Sequence, residues 1–104
     1  MSNIVGKWQQ QQGQPFQGLW FEFRLDGTFH AEFEEMGITS SGTYLAESGL
    51  IEMDQTQHTL GLLGEYKGLY AIEGEILTMI LGDTGGARPE TMDNKNKRIY
   101  MKIT

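Results

Sequence analysis

The side chains of this 104-residue chain that could do chemistry are few and scattered. There are two histidines, His30 and His58, and no cysteine, which rules out a thiolate nucleophile, a disulfide framework and a Cys-ligated zinc or iron–sulfur centre. His30 stands two residues from Glu32, so on a strand the two share a face, but a metal there needs a third ligand and none is spaced nearby. His58 falls in the stretch 55–59, which reads as a loop, and both histidines are expected to be solvated surface groups. The carboxylates Glu32, Glu34 and Glu35, and again Glu73 and Glu75, either alternate outward or sit in turns, where they are simply hydrated. No Ser, His and acid trio stands in a nucleophile setting, and the glycine-rich segment 82–86 is not followed by the helix that phosphate binding needs. The chain is therefore expected not to be an enzyme and to hold no metal or cofactor.

Charge narrows the partners. Fourteen acidic residues against eight basic ones give a net charge of −6, and no cluster of Lys or Arg interleaved with aromatics offsets it, so nucleic acid is not expected as a partner. The longest apolar runs, 60–63 and 76–81, are too short to span a bilayer. The start Met1-Ser2-Asn3-Ile4-Val5-Gly6 lacks the basic and apolar regions of a secretory signal, so a cytoplasmic location is expected, with export left open.

Behind these side chains stands a framework written in glycine. Fourteen Gly are about twice the usual ~7%, beside only four Ala, which is poor material for long helices and good material for tight turns. From Leu19 to Leu25 the apolar residues alternate, with Leu19, Phe21, Phe23 and Leu25 on one face and Glu22 and Arg24 on the other. Asp26-Gly27 follows, the dipeptide suited to a two-residue hairpin, and then Phe29, Ala31 and Phe33 alternate with His30, Glu32 and Glu34. Weaker versions of this pattern predict strands at 4–10, 42–47, 50–54, 66–73, 76–81 and 98–103, eight in all. Short connections such as Glu47-Ser48-Gly49, Glu73-Gly74-Glu75, 82–86 and Asp93-Asn94-Lys95-Asn96-Lys97 favour antiparallel neighbours. One domain over 1–104 is expected: an all-β, eight-stranded antiparallel up-and-down barrel, with a two-sheet sandwich as the alternative.

Five stretches, in order, give this framework a familiar look: Gly6-Lys7-Trp8, Asp26-Gly27-Thr28-Phe29, Gly42-Thr43-Tyr44, the run from Gly68 to Leu77, and Arg88-Pro89-Glu90. Together they resemble the small bacterial lipocalin-like domains, a calycin-type group of mostly uncharacterised function, from Ile4 to about Ile103. The resemblance implies an eight-stranded barrel whose first-strand Trp packs across the closed end near a basic residue of the last strand. Here those positions are Trp8, entered through Gly6, and Arg98, with Lys102 and Arg88 as alternatives, and the expected role is structural, with a cation–π contact. The avidin group also opens on Gly-x-Trp, but a chain with only Trp8 and Trp20 lacks its set of tryptophans, so biotin is not expected.

Two functions follow from this frame. Phe21, Phe23, Phe29, Phe33, Leu77, Met79, Ile99 and Met101 are expected to point inward and to line a pocket for a small apolar ligand. Alternatively they fill so short a barrel, which then acts as a structural or interaction module, with a homodimer face where Leu60-Gly61-Leu62-Leu63-Gly64, Tyr44, Leu50, Leu69 or Tyr100 gather. The alternation leaves the register of Tyr44, Tyr66, Tyr70 and Tyr100 open.

Overall fold

Strand alternation and short glycine turns carry through to the tertiary structure. The computed structural model describes residues 4–92 and 96–103. Its strands are β1 (Gly6–Gln10), β2 (Trp20–Phe23), β3 (Thr28–Phe33), β4 (Ile38–Glu47), β5 (Leu50–His58), β6 (Gly64–Glu73), β7 (Ile76–Leu81) and β8 (Arg98–Lys102), with one 3-10 turn at Glu34–Met36. Each strand pairs antiparallel with the next and β8 pairs with β1, which closes the sheet into an up-and-down barrel and decides against the sandwich. Closure removes the exposed strand edges that an open sheet of this size would present. The architecture is consistent with the lipocalin-like fold. Met1-Ser2-Asn3 and the Asp93-Asn94-Lys95 part of the expected turn lie outside the described residues. Among the described residues no helix is long and apolar enough to cross a membrane.

The connections sort the two ends. Tight turns join β2 to β3, β4 to β5 and β6 to β7 at one end, while 11–19, 34–37, 59–63 and the described parts of the β7–β8 connection, 82–92 and 96–97, gather at the other. The expected two-residue hairpin at Asp26-Gly27 is instead a three-residue loop: Gly27 donates to Arg24 O at 3.1 Å and adopts φ +88°, and Arg24 N donates to Thr28 O at 2.9 Å. This is a turn followed by a left-handed glycine, the second hairpin solution for a right-twisted pair. It draws Leu25 out of β2, and Leu25 is 89% exposed rather than inward.

The tight-turn end is solid. Trp8, Phe23, Phe29, Ile51 and Leu77 are almost fully buried there, with Ile4 closing the bottom. Trp8 Nε1 donates to Ile4 O at 2.8 Å, so the indole fixes the chain just ahead of β1. The basic partner of Trp8 is Lys102, whose Nζ lies 5.6 Å from the ring centroid, and not Arg98. Register gives the reason: Trp8 pairs with Lys102 and Gln10 with Tyr100, which sets Arg98 four residues, roughly 13 Å, away at the other end. There its guanidinium lies 5.6 Å from the Phe16 ring. Arg88 has a third position, on the outer wall, where it donates to Ile51 O (3.0 Å), Gly68 O (2.6 Å) and Glu52 Oε2 (2.8 Å) and ties the β7–β8 connection to β5 and β6.

The β8 register also corrects the expected inward set. Tyr100 points inside, where its ring meets Phe21 edge-on at 5.8 Å, while Ile99 and Met101 face outward at 39% and 41% exposure. An inward phase of Arg98, Tyr100 and Lys102 is tolerable because the two cations stand at opposite ends of the strand, where long side chains keep their heads near water.

Candidate functional site

The half of the barrel beneath the longer connections is a cup. A cavity of about 620 Å³ opens there, within the 300–1,000 Å³ range of small-molecule sites. A side lobe of about 300 Å³ extends toward β1 and β8, sharing Phe16, Leu19, Phe21, Leu81 and Asp83 with the main cavity and adding Gln10, Met79, Arg98 and Tyr100. The inside is thus neither empty nor filled throughout: the closed half packs solid and the open half is concave.

One wall of the cup is apolar. Phe21 from β2, Ala31 and Phe33 from β3, and Phe16 and Leu19 from the β1–β2 connection form it, and Phe16 meets Phe33 edge-on at 6.1 Å. Phe21 and Phe33 are therefore the two expected pocket phenylalanines that reach the cup, and Met79 reaches the side lobe. Phe23, Phe29 and Leu77 belong to the packed half, and Ile99 and Met101 are on the outside.

The facing wall, from β4, β5 and β6, carries polar groups that the alternation pattern did not single out: Ser40, Gln55, His58 and Tyr66. Ser40, Gln55 and His58 sit on parts of strands that read as loop, while Tyr66 opens the expected strand 66–73. β4 begins at Ile38, four residues before the expected start, and β5 runs on to His58, four residues past the expected end. Ile38-Thr39-Ser40-Ser41 and Gln55-Thr56-Gln57-His58 show no apolar alternation because their inner side faces a cavity instead of packed side chains. The usable signal was their Thr and Ile content, which suits strands whatever the face.

A bulge sets the phase of this wall. Ser41 pairs with Gln57 but Gly42 pairs with Gln55, so β5 carries one extra residue, Thr56. Without it His58 would stand on the opposite face from Ser40; with it the two are register partners. The strands approach so closely here that a Cβ on Gly42 would run into the Asp54 carbonyl. His58 is thus a half-buried strand residue of the cup rather than a solvated loop residue.

Hydrogen bonds hold the mouth. His58 Nδ1 accepts from Leu60 N at 3.0 Å, and Gln55 Nε2 donates to Leu62 O and, at 3.2 Å, to the Tyr66 hydroxyl. These fix the connection 59–63 over β5, with Leu62 part of the lining. In the side lobe Gln10 spans two elements, donating from Nε2 to the Tyr100 hydroxyl at 3.1 Å and accepting at Oε1 from Phe16 N at 3.1 Å. Burial pushes the Tyr100 phenol up to about 12, against which the Gln10 bond and the charge of Arg98 act only in part.

His30 and Glu32 face a different surface, although Glu32 also borders the cup. They bond at 3.0 Å on the outer wall beside Trp20, whose ring carries Lys7 Nζ at 3.8 Å and whose Nε1 donates to Glu34 Oε2 at 3.3 Å. This cluster pins the 3-10 turn to the barrel. Among the described residues no group of three or more His, Asp and Glu side chains is placed to hold a metal ion.

No family model, curated protein or solved structure matches this chain.

Proposed function

We propose that this chain is a non-catalytic lipocalin-like barrel of the calycin type that binds one small, largely apolar molecule in its open-end cup. The cup itself supports this reading. A concave space of about 620 Å³ walled by Phe16, Phe21, Phe33 and Met53 removes apolar surface from water when a ligand of matching size enters. The closed half supplies rigidity, since its side chains are packed and play no part in the lining.

Titration of the folded protein with 1-anilinonaphthalene-8-sulfonate tests it. Saturable binding of about one probe per chain is expected, as is its loss in Ala31→Phe, because Ala31 is buried on the cup wall and a ring there would occupy the space. A folded wild-type protein with no saturable binding, or a folded Ala31→Phe that binds as well as wild type, would refute the proposal.

The second reading, an interaction module that pairs with itself, is favoured by the outer face of β8, where Ile99, Met101 and the following Ile103 are all exposed. Sedimentation across a hundredfold range of concentration separates the two, because a monomer at every concentration removes the pairing.

A further inference from the structure

The polar wall of the cup has hydrogen-bonding capacity that the protein leaves unspent. Gln55 is 8% exposed and Ser40 9%. Leu62 O can only accept, so the Gln55 nitrogen must face it; both amide hydrogens are then committed, to Leu62 O and the Tyr66 hydroxyl. That leaves Gln55 Oε1 without a donor, and Ser40 Oγ without any partner, among the described residues. No side-chain N or O atom among them is both fully enclosed and unpaired. Gln55 Oε1 and Ser40 Oγ therefore both reach open space, and for these two lining residues that space is the cup. The Tyr66 oxygen accepts from Gln55, so its own hydrogen is available for donation. His58 accepts at Nδ1 from Leu60 N, which places the proton of the neutral ring on Nε2, a second donor on the same wall.

An unpartnered amide oxygen beside several donors, opposite an aromatic wall, is a chemical description of a ligand. Resting on the apolar-ligand reading above, we infer that the cup selects a neutral, planar ring with an adjacent N–H and C=O, a lactam or cyclic ureide. Its N–H is taken by Gln55 Oε1, its carbonyl by Ser40, Tyr66 or His58, and its faces by Phe16, Phe21 and Phe33. A purely aliphatic molecule would strip water from these polar atoms and return nothing. A carboxylate offers no N–H to Gln55 Oε1 and leaves that acceptor unpaired.

The test uses three bicyclic probes of similar size: 2-quinolinone, its N-methyl derivative and naphthalene, titrated calorimetrically into the folded wild type, Gln55→Leu and Ser40→Ala. Wild type is expected to bind 2-quinolinone about tenfold more tightly than the N-methyl compound, the discrimination one good hydrogen bond supplies. Gln55→Leu should bring the two together. Ser40→Ala, whose lost hydroxyl has no partner among the described residues and so leaves the fold intact, should weaken both lactams severalfold and spare naphthalene. Circular dichroism establishes that each variant is folded. Equal wild-type binding of all three probes overturns the lactam inference and leaves the apolar cup standing. A preference for 2-quinolinone that survives in folded Gln55→Leu is steric and also overturns it. Failure of all three to bind the folded wild type removes the cup reading and this inference with it.

Discussion

Replacing Trp8 with alanine separates the roles of the two halves of the barrel. The indole is 1% exposed, and a buried aromatic of this kind removes about 200 Å² from water, worth about 5 kcal/mol at ~25 cal/mol per Å². Alanine recovers a small part of that, and the substitution also leaves Ile4 O without the Nε1 donor now at 2.8 Å, so a net loss of about 4–5 kcal/mol is expected, at the upper end for Trp truncations. A domain of this length has about 5–15 kcal/mol in total, so the variant stands close to unfolding. With a urea slope of about 1.5–2 kcal/mol per M, the midpoint should fall by roughly 2–3 M. Trp8→Phe keeps most of the packing and loses the hydrogen bond, for about 1–2 kcal/mol. Because Trp8 does not line the cup, the folded fraction of either variant should bind 1-anilinonaphthalene-8-sulfonate with wild-type affinity. Urea melts followed by circular dichroism, with probe titration below the transition, measure both quantities. A Trp8→Ala midpoint within 0.5 M of wild type (against the roughly 2–3 M shift expected) would refute the packing argument, and a selective loss of probe binding at unchanged stability would refute the division of the barrel.

Three further outcomes follow from the register. Gly42→Ala should cost about 2–3 kcal/mol and weaken probe binding, because the new Cβ drives β4 from the Asp54 carbonyl and displaces the bulge that aims His58; a melting temperature equal to wild type counts against this. Ile99→Ser and Met101→Ser should each change stability by less than about 0.5 kcal/mol, since both side chains face outward; losses of core size, about 2 kcal/mol or more, would show the β8 phase to be reversed. Tyr100 has its phenol raised to about 12, so the native state holds this proton more tightly than the unfolded chain, where tyrosine titrates near 10. Its contribution is complete below pH 10 and is lost as pH rises toward 12, roughly 2–3 kcal/mol in all. Tyr100→Phe should flatten that alkaline fall in chemical melts at pH 9–12, and an unchanged slope would place the strain elsewhere.

The parts of the fold that were legible share one property, a contrast between the two faces of a strand. Phe21, Phe23 and Phe29 alternate with Glu22 and His30, and all three are inside. In β8 that contrast fails, because Ile99, Tyr100 and Met101 are apolar on both faces and only pairing with β1 and β7 selects Tyr100. At the start of β4 and the end of β5 it fails the other way, since both faces are polar, and these segments read as loop. The candidate site lies largely in those segments. Phe21 and Phe33 were identifiable as inward, but His58 joins Ser40, Gln55 and Tyr66 only through the Thr56 bulge, a two-against-one pairing with no local signature beyond Gly42.

Local chemistry alone determined the all-β class, the number of strands and the antiparallel order, because these depend on alternation and turn residues, all properties of neighbours in the chain, whereas the burial of Trp8 was what the resemblance to lipocalin-like domains implied. Tertiary structure decided which cation meets Trp8, which face of β8 is inside, and that the barrel is packed at one end and open at the other. Each of those depends on register between strands distant in sequence, and a shift of one residue there exchanges the inner and outer faces of a whole strand.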